Sequence, residues 1–493
     1  MPRNLTELPA EIINVITSYL RNRDIKTLRL TCKLLCNTVE LRLNHVFLSA
    51  NPLNIAVFLA IANSETFRHG VQEIIWDDAR FYNLPDAVPF NEPDKESGCP
   101  EWFVSQCKEN IENRWMRKGP NIDRHIDRAK QIAAKSGMTM QQSWQYFQTL
   151  CQQQEDVIRL NKDAEALAYG LRRLPALKRV TITPAAHGWI FAPLYETPMI
   201  RAFPEGFNYP IPRGWPHIPG GDLKPQPGQW EIEGVREEFR GFGIATRALA
   251  EYPHHQVSEF VIDVNGLDTG LDCSVFKEPC AEYDDFATLL GHPGFTRLDL
   301  ALLVNTMGLH RWLSFHTTHL HRALSAAHAL QHISLHTTVA PDPRAQPTPL
   351  RTVFPAENWP SLRHFQLSGL IVDKDDLVAF LATLLTRTLR SVHLGFLYFP
   401  EGRGSWRALL DDMRDKLDWR AAANEKDLAD RRRRVRVTLA TPTRDYQIGH
   451  AVWIEEEVQA FLYGNGVNPF SPGSEDTISS GFGVVRDSFE PAE

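Results

Sequence analysis

Apolar residues at helical spacing fill the first fifty positions of the chain. Leu8, Ile12 and Ile16 fall on one face of a predicted helix. Pro9 suits the start of that helix, where its missing N–H costs nothing. A second helix follows, and the apolar run from Val39 to Phe47 predicts a third. Three short helices bury little core, so the unit is expected to be marginal alone and to complete its core on a larger domain or on a partner.

The next segments change from a helical to a strand pattern and back. Asn51 and Pro52 predict the start of a fourth helix from their N-cap and first-turn preferences. Val71 to Asp78 alternates between apolar and polar residues like a strand. We therefore predict a linker helix and a first strand over residues 51–83. Residues 84–170 are polar, rich in glutamine and mostly helical in pattern, which predicts a helical insertion.

From residue 171 to about residue 400 a short pattern, apolar-x-x-apolar-x-apolar, recurs between helical runs. Its copies are centred on Val180, Phe260, Leu298, Ile333, Phe365 and Val392. Successive centres among the last five are 27 to 38 residues apart, and Ile74 fits as an earlier copy. One strand and one helix in every roughly 20 to 40 residues is typical of a solenoid, in which each unit covers the next. Residues 171–400 are therefore predicted to form an irregular α/β solenoid.

Two further segments interrupt or follow this solenoid. Residues 204–234 hold seven prolines and six glycines, which predicts a long loop. Trp215 and Trp230 within it indicate packing, since disordered segments are poor in aromatic residues, and they are candidate contacts for a substrate. Residues 401–463 are predicted to form a cap of helix and strand. Residues 464–493 are rich in Gly, Ser, Pro and acidic residues and are predicted to be a flexible tail.

Composition narrows the class of protein without naming it. Of the 493 residues, 43% are hydrophobic and 23% charged, as in ordinary globular proteins. The net charge of −7 does not favour nucleic acid as a partner. Seven cysteines without a C-x-x-C pair fit a reducing compartment, the cytoplasm or the nucleus. The apolar run at 55–62 is far shorter than the ~20 residues of a membrane span, so no membrane association is expected.

Motifs for catalysis, cofactors or metals are weak. The chain has no G-x-S-x-G elbow, no phosphate-binding G-x-x-x-x-G-K-[ST] loop and no H-E-x-x-H pair. Gly241-Phe-Gly243 is only a fragment of a phosphate loop. Seven histidines fall between His310 and His336 without a carboxylate or cysteine to complete a metal site. Arg431 to Arg434 is typical of a solvated helix end. No cofactor, metal or catalytic residue is predicted.

The ordered set of residues in the first helices resembles an F-box. The matching positions are Leu8-Pro9-Ala10-Glu11-Ile12, Ile16, Tyr19-Leu20, Asp24-Ile25, Leu28 and Thr31-Cys32-Lys33-Leu34-Leu35. An F-box binds a Skp-type adaptor, and through that adaptor a cullin scaffold. The resemblance implies that residues 1–50 are the F-box and that its adaptor-facing residues are Leu8, Pro9, Ile12, Ile16, Leu20, Leu28 and Cys32.

The body of the chain resembles a degenerate leucine-rich-repeat solenoid, and the combination is similar to divergent F-box proteins of filamentous fungi. The fold class expected from both resemblances is α/β: a three-helix F-box followed by an irregular leucine-rich-repeat-like solenoid with a helical insertion. The function they imply is that of a non-catalytic substrate receptor of a Skp–cullin–F-box ubiquitin ligase, with an unknown substrate protein on the solenoid. The alternatives are an interaction scaffold outside ubiquitination and an enzyme with an unrecognised site.

Overall fold

The protein is described here from a computed structural model. It describes residues 5–20, 22–39, 41–82, 93–112, 120–212, 230–304, 317–338, 346–384, 387–417, 434–442 and 450–487, with Trp215, Gly228, Phe315 and Trp419. Within these ranges the chain is mixed α/β, and most of its strands join one large, mainly parallel sheet. This architecture confirms the α/β class that the sequence predicts.

The N-terminal helices are short and are followed at once by a strand. They are α1 Ala10–Ser18, α2 Asn22–Thr31 and α3 Lys33–Thr38, after a 3-10 turn at Leu5–Glu7. The prediction of a third helix from Val39 to Phe47 is wrong, because Val46 and Phe47 lie in a strand. A run with apolar residues at 46, 47 and 48 fits the periodicity of a helix or of a strand, and pairing with the next strand decides for the strand.

Eleven strands follow one another across the main sheet, and one more pairs beside them. The strands are β1 His45–Ser49, β2 Glu73–Asp77, β3 Arg179–Thr183, β4 Glu259–Ile262, β5 Leu271–Asp272, β6 Arg297–Leu303, β7 His332–Thr337, β8 His364–Ser368, β9 Ser391–Gly395, β10 Arg436–Pro442, β11 His450–Ile454, β12 Phe470–Ser471, β13 Ser474–Ile478 and β14 Val484–Asp487. The sheet order is β1-β2-β3-β4-β6-β7-β8-β9-β10-β11-β14, with β5 paired to β6. Pairing is parallel from β1 to β10 and antiparallel from β10 onward.

The same backbone geometry recurs where each strand begins. The amides of Gln72 and Glu73 both donate to the carbonyl of Asn44, at 2.8 and 3.0 Å. Equivalent paired bonds end on the carbonyls of Gln72, Lys178, Ser258, Thr296, Gln331 and Arg363. All seven copies of the apolar pattern lie in strands, so the pattern located β2, β3, β4, β6, β7, β8 and β9 correctly. The pattern did not mark the other seven described strands, among them β1 and β10 of the parallel sheet.

Helices connect the strands. The remaining helices are α4 Pro52–Asn63, α5 Glu101–Glu112, α6 Pro120–Ser136, α7 Met140–Arg159, α8 Lys162–Arg173, α9 Pro198–Arg201, α10 Glu233–Glu238, α11 Arg240–Glu251, α12 Ala281–Leu290, α13 His319–Ser325, α14 Leu350–Val353, α15 Lys374–Leu381, α16 Trp406–Lys416 and α17 Glu456–Tyr463. Helix α4 begins as predicted, since the Asn51 side chain accepts from the amides of Leu53 and Asn54. Alternate strand residues, such as Val180 and Phe260, share one continuous core with these helices. The other face of the sheet is left for different contacts.

The helical insertion has a core of its own, with boundaries that differ from the predicted 84–170. Phe103, Phe147 and Cys151 form this second core, and Met199, Phe207 and Tyr209 join it from the segment after β3. Helix α8 belongs to the main core instead, through Ala166, Leu167 and Leu171. Sequence pattern alone does not separate α8 from the insertion, because both are amphipathic helices. Residues 83–92 lie outside the described residues.

The C-terminal segment contributes strands where a flexible tail was predicted. Strand β14 pairs with β11, and β12 pairs with β13. The acidic residues of this segment have structural partners: Asp476 accepts from the amide of Trp406 at 2.8 Å, and Glu475 accepts from the Ser405 hydroxyl. Composition predicts solvation for such residues, but here they lie at the N-terminal end of α16. Trp453 lies in β11, while α17 buries Val458, Phe461 and Leu462, as its pattern predicts.

Candidate functional site

The three N-terminal helices form a small unit with a separate core. Four side chains are fully buried in it, namely Ile13, Ile25, Leu35 and Val39. Four of the seven residues expected to face an adaptor, Leu8, Leu20, Leu28 and Cys32, are partly buried against this core. The guanidinium group of Arg42 holds the end of α1 by donating to the carbonyls of Ser18 at 2.5 Å and Thr17 at 3.2 Å. The unit therefore depends on few apolar contacts.

The same unit also exposes apolar side chains. Six of the fifteen exposed large apolar side chains found in the described residues belong to it: Ile12, Val15, Ile16 and Tyr19 follow one side of α1, and Leu30 and Leu34 lie on α2 and α3. Pro9 is also exposed. The exposed fractions of Tyr19 and Leu30 reach 85% and 88%. Such a concentration in so short a segment marks an interaction surface. We call these six residues the N-terminal apolar surface.

A row of polar side chains crosses the face of the sheet opposite the main core. Strand register aligns, in order, His45, Glu73, Arg179, Glu259, Arg297, His332, His364, Ser391 and Arg436. Arg179 Nη2 lies 2.5 Å from Glu259 Oε2, and Arg297 Nη2 lies 2.5 Å from Asp299 Oδ2. The first pair joins the neighbouring strands β3 and β4 and the second lies within β6, and together they leave this part of the face nearly neutral.

The character of this face changes along the sheet. On β1 to β4 it carries Phe47, Ile75 and Val261, and the Tyr195 ring packs 6.0 Å from that of Phe47. From β7 onward it is polar and carries histidine, serine and glutamine. His332 Nε2 lies 2.9 Å from Asp299 Oδ1. Burial alone would raise the pKa of Asp299, but hydrogen bonds from His332 and Arg297 hold it below its ordinary value.

Buried polar side chains lie where the sheet meets the insertion. Asp77, at the end of β2, and His187 are fully buried, with His187 Nε2 3.8 Å from Asp77 Oδ2. The other ring nitrogen, Nδ1, lies 2.8 Å from the Tyr209 hydroxyl. Burial raises the pKa of Asp77 to about 8 and lowers the pKa of His187 to about 3. At neutral pH both groups are therefore uncharged, which suits a structural contact rather than acid–base chemistry.

We expect Asp77→Asn to stabilise the protein increasingly between pH 5 and pH 8. The unfolded carboxyl ionises near pH 4, but the folded one stays protonated to about pH 8. Across that window the unfolded state releases the proton first, so the stability of the wild type falls as pH rises. An amide at residue 77 cannot ionise, so the stability of the variant does not fall with pH for this reason. Thermal unfolding at both pH values measures the difference. Asp127→Asn on exposed α6 is the control, and equal shifts in the two variants would contradict the assignment.

The two tryptophans of the Pro-rich segment pack into the main core. Trp215 and Trp230 are both buried, and their rings pack 5.8 and 5.6 Å from Phe239. Trp230 Nε1 donates to Glu282 Oε2 at 3.2 Å. They anchor this segment to the main core, as an aromatic-containing loop requires. Their role as substrate contacts stays a prediction, and in the free chain little of either side chain is accessible.

The glycine, histidine and arginine motifs of the sequence also have definite places in the structure. Gly241 lies in the first turn of α11, where its amide donates to the Asp78 carboxylate at 3.1 and 3.2 Å, so an internal acid occupies the place of a phosphate. His328 lies in a turn and His332 in β7, so they do not share a helix face. Residues 431–433 and the histidines at 310 and 316 lie outside the described residues. Arg434 places its guanidinium carbon 5.5 Å from the centre of the Tyr463 ring.

The described residues offer few other candidate sites. In the described ranges, no group of three His, Cys, Asp or Glu side chains is arranged to hold a metal ion. None of the helices placed by the structure is long and apolar enough to span a membrane. An open groove of about 560 Å³ lies between the α6–α7 connection and the segment at Pro204. Comparison of the chain with models of known protein families and with curated proteins gave no match.

Proposed function

We propose that this chain is a non-catalytic substrate receptor of a Skp–cullin–F-box ubiquitin ligase, acting in the cytoplasm or nucleus. The observation that carries the proposal is the N-terminal apolar surface, which lies on a three-helix unit with only four fully buried core side chains. Exposing so much apolar area on so small a core is costly in water, and a partner that covers it removes that cost. A Skp-type adaptor is the partner that the F-box resemblance names.

The sheet supports the second half of the proposal. Nine strands, β1 to β4 and β6 to β10, follow one another in chain order and pair in parallel. We infer that they form an irregular leucine-rich-repeat solenoid whose open polar face holds the substrate protein. Such a receptor needs no reacting groups of its own. Its contribution to ubiquitin transfer is to hold the substrate close to the ligase, which raises the effective concentration of the reacting groups.

Co-purification with a Skp-type adaptor tests the proposal. The wild-type chain is expected to form a one-to-one complex. Ile12→Glu/Ile16→Glu is expected to weaken that complex at least about tenfold, because each carboxylate would be buried without a partner in an apolar interface. Both residues are exposed in the free chain, so the substitutions should leave the three helices folded. Circular dichroism of each variant checks this.

Leu160→Glu/Ile232→Glu is the matched control. It introduces the same two charges at apolar side chains with comparable exposure outside the N-terminal unit, and it should keep full affinity for the adaptor. A wild-type chain that folds but does not bind the adaptor would overturn the proposal. A chain that binds the adaptor but does not recruit the cullin would instead indicate a scaffold outside ubiquitination.

A further inference from the structure

Three arginines meet at one edge of the sheet, where β8, β9 and β10 begin. Arg363 and Arg390 directly precede β8 and β9, and Arg436 is the first residue of β10. The amide of Arg390 donates to the carbonyl of Arg363 at 2.7 Å, and the amide of Arg436 donates to that of Arg390 at 2.8 Å. Arg363 and Arg390 are therefore aligned just before their strands, about 4.8 Å apart, and Arg436 is one residue further along, aligned with Ser391. We call them the arginine edge.

The charge of this edge is only partly neutralised. Arg436 Nη2 donates to Glu455 Oε2 at 2.7 Å. Arg363 and Arg390 are exposed, and among the described residues neither has a carboxylate within ion-pair distance. Arg390 Nη1 donates instead to the carbonyl of Leu389 at 3.0 Å, which holds its side chain in place. This contrasts with Arg179 and Arg297 in the same sheet, which both have acidic partners.

His364 lies within the positive potential of these arginines. Its ring nitrogen Nδ1 lies 2.8 Å from the Ser391 hydroxyl, and its ring lies 5.7 Å from that of His332. Burial lowers the pKa of His364, and the nearby His332, Arg363, Arg297 and Arg390 lower it further. A site that disfavours one more positive charge is a site that favours a negative one.

The sheet face beside the arginine edge carries hydrogen-bond donors. Ser334 and Ser368 are buried, whereas His364, Gln366 and Ser391 are partly exposed. The acids next to it are Glu455, paired with Arg436, and Asp268, near His336. The residues of this face on β7 to β10 are His332, Ser334, His336, His364, Gln366, Ser368, Ser391, His393, Gly395, Arg436, Thr438 and Ala440. No carboxylate is among them, although the whole chain carries a net charge of −7. Hydroxyl, amide and imidazole groups can all donate hydrogen bonds to carboxylate oxygens. The last acid on this face is Asp299, which Arg297 and His332 already occupy.

We propose that the face of β7 to β10, together with the arginine edge, binds an acidic protein segment rich in Asp and Glu side chains. The guanidinium groups of Arg363 and Arg390 pair with two of its carboxylates, and the serine, glutamine and histidine side chains donate to others. Charge-assisted bonds of this kind are stronger than neutral ones and fix the orientation of the bound chain. Calling this segment the substrate rests on the proposed function, but the binding itself does not.

Fluorescence anisotropy with a labelled ten-residue polyglutamate peptide tests the inference on the full-length chain. Such a peptide spans up to roughly 33 Å when extended, enough to cross four strands. The wild-type chain should bind it, and affinity should fall as salt rises, because exposed charge pairs are screened. Arg363→Glu/Arg390→Glu should weaken binding at least about tenfold, since reversed charges repel the peptide.

Arg159→Glu/Arg247→Glu is the control, because it changes the net charge equally at exposed arginines outside this face. It should bind the peptide nearly as the wild type does. The inference is overturned if polyglutamate fails to bind, if both double variants lose affinity equally, or if decaglutamine binds as well. Binding of a phosphoserine peptide without binding of polyglutamate would also overturn it.

The two proposals fail separately. Ile12→Glu/Ile16→Glu should keep polyglutamate binding, and Arg363→Glu/Arg390→Glu should keep adaptor binding. Loss of both activities in either variant, with the fold intact by circular dichroism, would contradict the assignment of two independent surfaces.

Discussion

Replacing Ile13 with Ala is expected to unfold residues 5–39 while the parallel sheet stays folded. Ile13 is one of four fully buried side chains in a core that is separate from the main one. Truncating a buried isoleucine to alanine costs about 2–5 kcal/mol. A core of four side chains supplies too little stabilisation to absorb that loss. The sheet should not respond, because its core does not include these residues.

Hydrogen exchange followed by mass spectrometry measures this result segment by segment. Amides of α1, α2 and α3 should lose their protection in Ile13→Ala, while amides of β6 to β9 should keep theirs. Val15→Ala is the matched control, because Val15 lies on the same helix with its side chain exposed. Unchanged protection of residues 5–39 in Ile13→Ala would show that the rest of the chain stabilises this unit. If the proposed function holds, saturating adaptor should restore the protection.

Replacing Asp163 with Ala is expected to destabilise the main core by about 3 kcal/mol. Asp163 is fully buried, and Arg240 Nε and Nη2 donate to its two carboxylate oxygens at 3.1 and 2.9 Å. Arg240 Nη2 also donates to Asn161 Oδ1 at 2.8 Å. The pair joins the start of α8 to the start of α11. Without the carboxylate, a mostly buried guanidinium loses its charge partner, and this loss exceeds the value of the pair itself.

Denaturant unfolding, followed by tryptophan fluorescence, measures the change in the free energy of unfolding. Asp156→Ala provides the control, because Asp156 pairs with Arg159 at a similar 2.9 Å but on the surface. That pair should be worth less than about 1 kcal/mol. The double variant Asp163→Ala/Arg240→Ala should be less destabilised than the sum of its single variants, since no unpaired charge remains. Additive losses would contradict this account.

The local apolar pattern predicted much of the strand content and less of the helix packing. All seven copies of the pattern form strands because one face of each strand must meet the helices, and this need fixes an alternation that is visible in sequence. The faces of helices were harder to assign. On α4 the buried side chains include Ile55, Phe58 and Ala62, while the equally apolar Leu53 is exposed. A helix that is apolar on most sides carries little directional information.

The N-terminal apolar surface shows the same difficulty at a functional site. The stripe of Leu8, Ile12 and Ile16 was expected to be a helix face in contact with a partner or with a larger domain. In the structure Ile12 and Ile16 are exposed, and Ile13 and Thr17 of the same helix face inward. Sequence could not say which of two apolar faces would be covered by the chain itself. Val15, Tyr19, Leu30 and Leu34 of this surface are not among the seven residues expected to face an adaptor, although their side chains are apolar and exposed.

The sequence by itself determined the mixed α/β class, the position of seven of the fourteen described strands and the start of α4, because each depends on contacts within a few residues. Only the tertiary structure decided which distant groups meet. Asp77 and His187 are 110 positions apart, and they approach because two strands pair and the insertion folds against their ends. Parallel register alone aligns Arg363 with Arg390 and brings Arg436 beside Ser391. Register is set by packing across the whole sheet, and no local pattern carries that information.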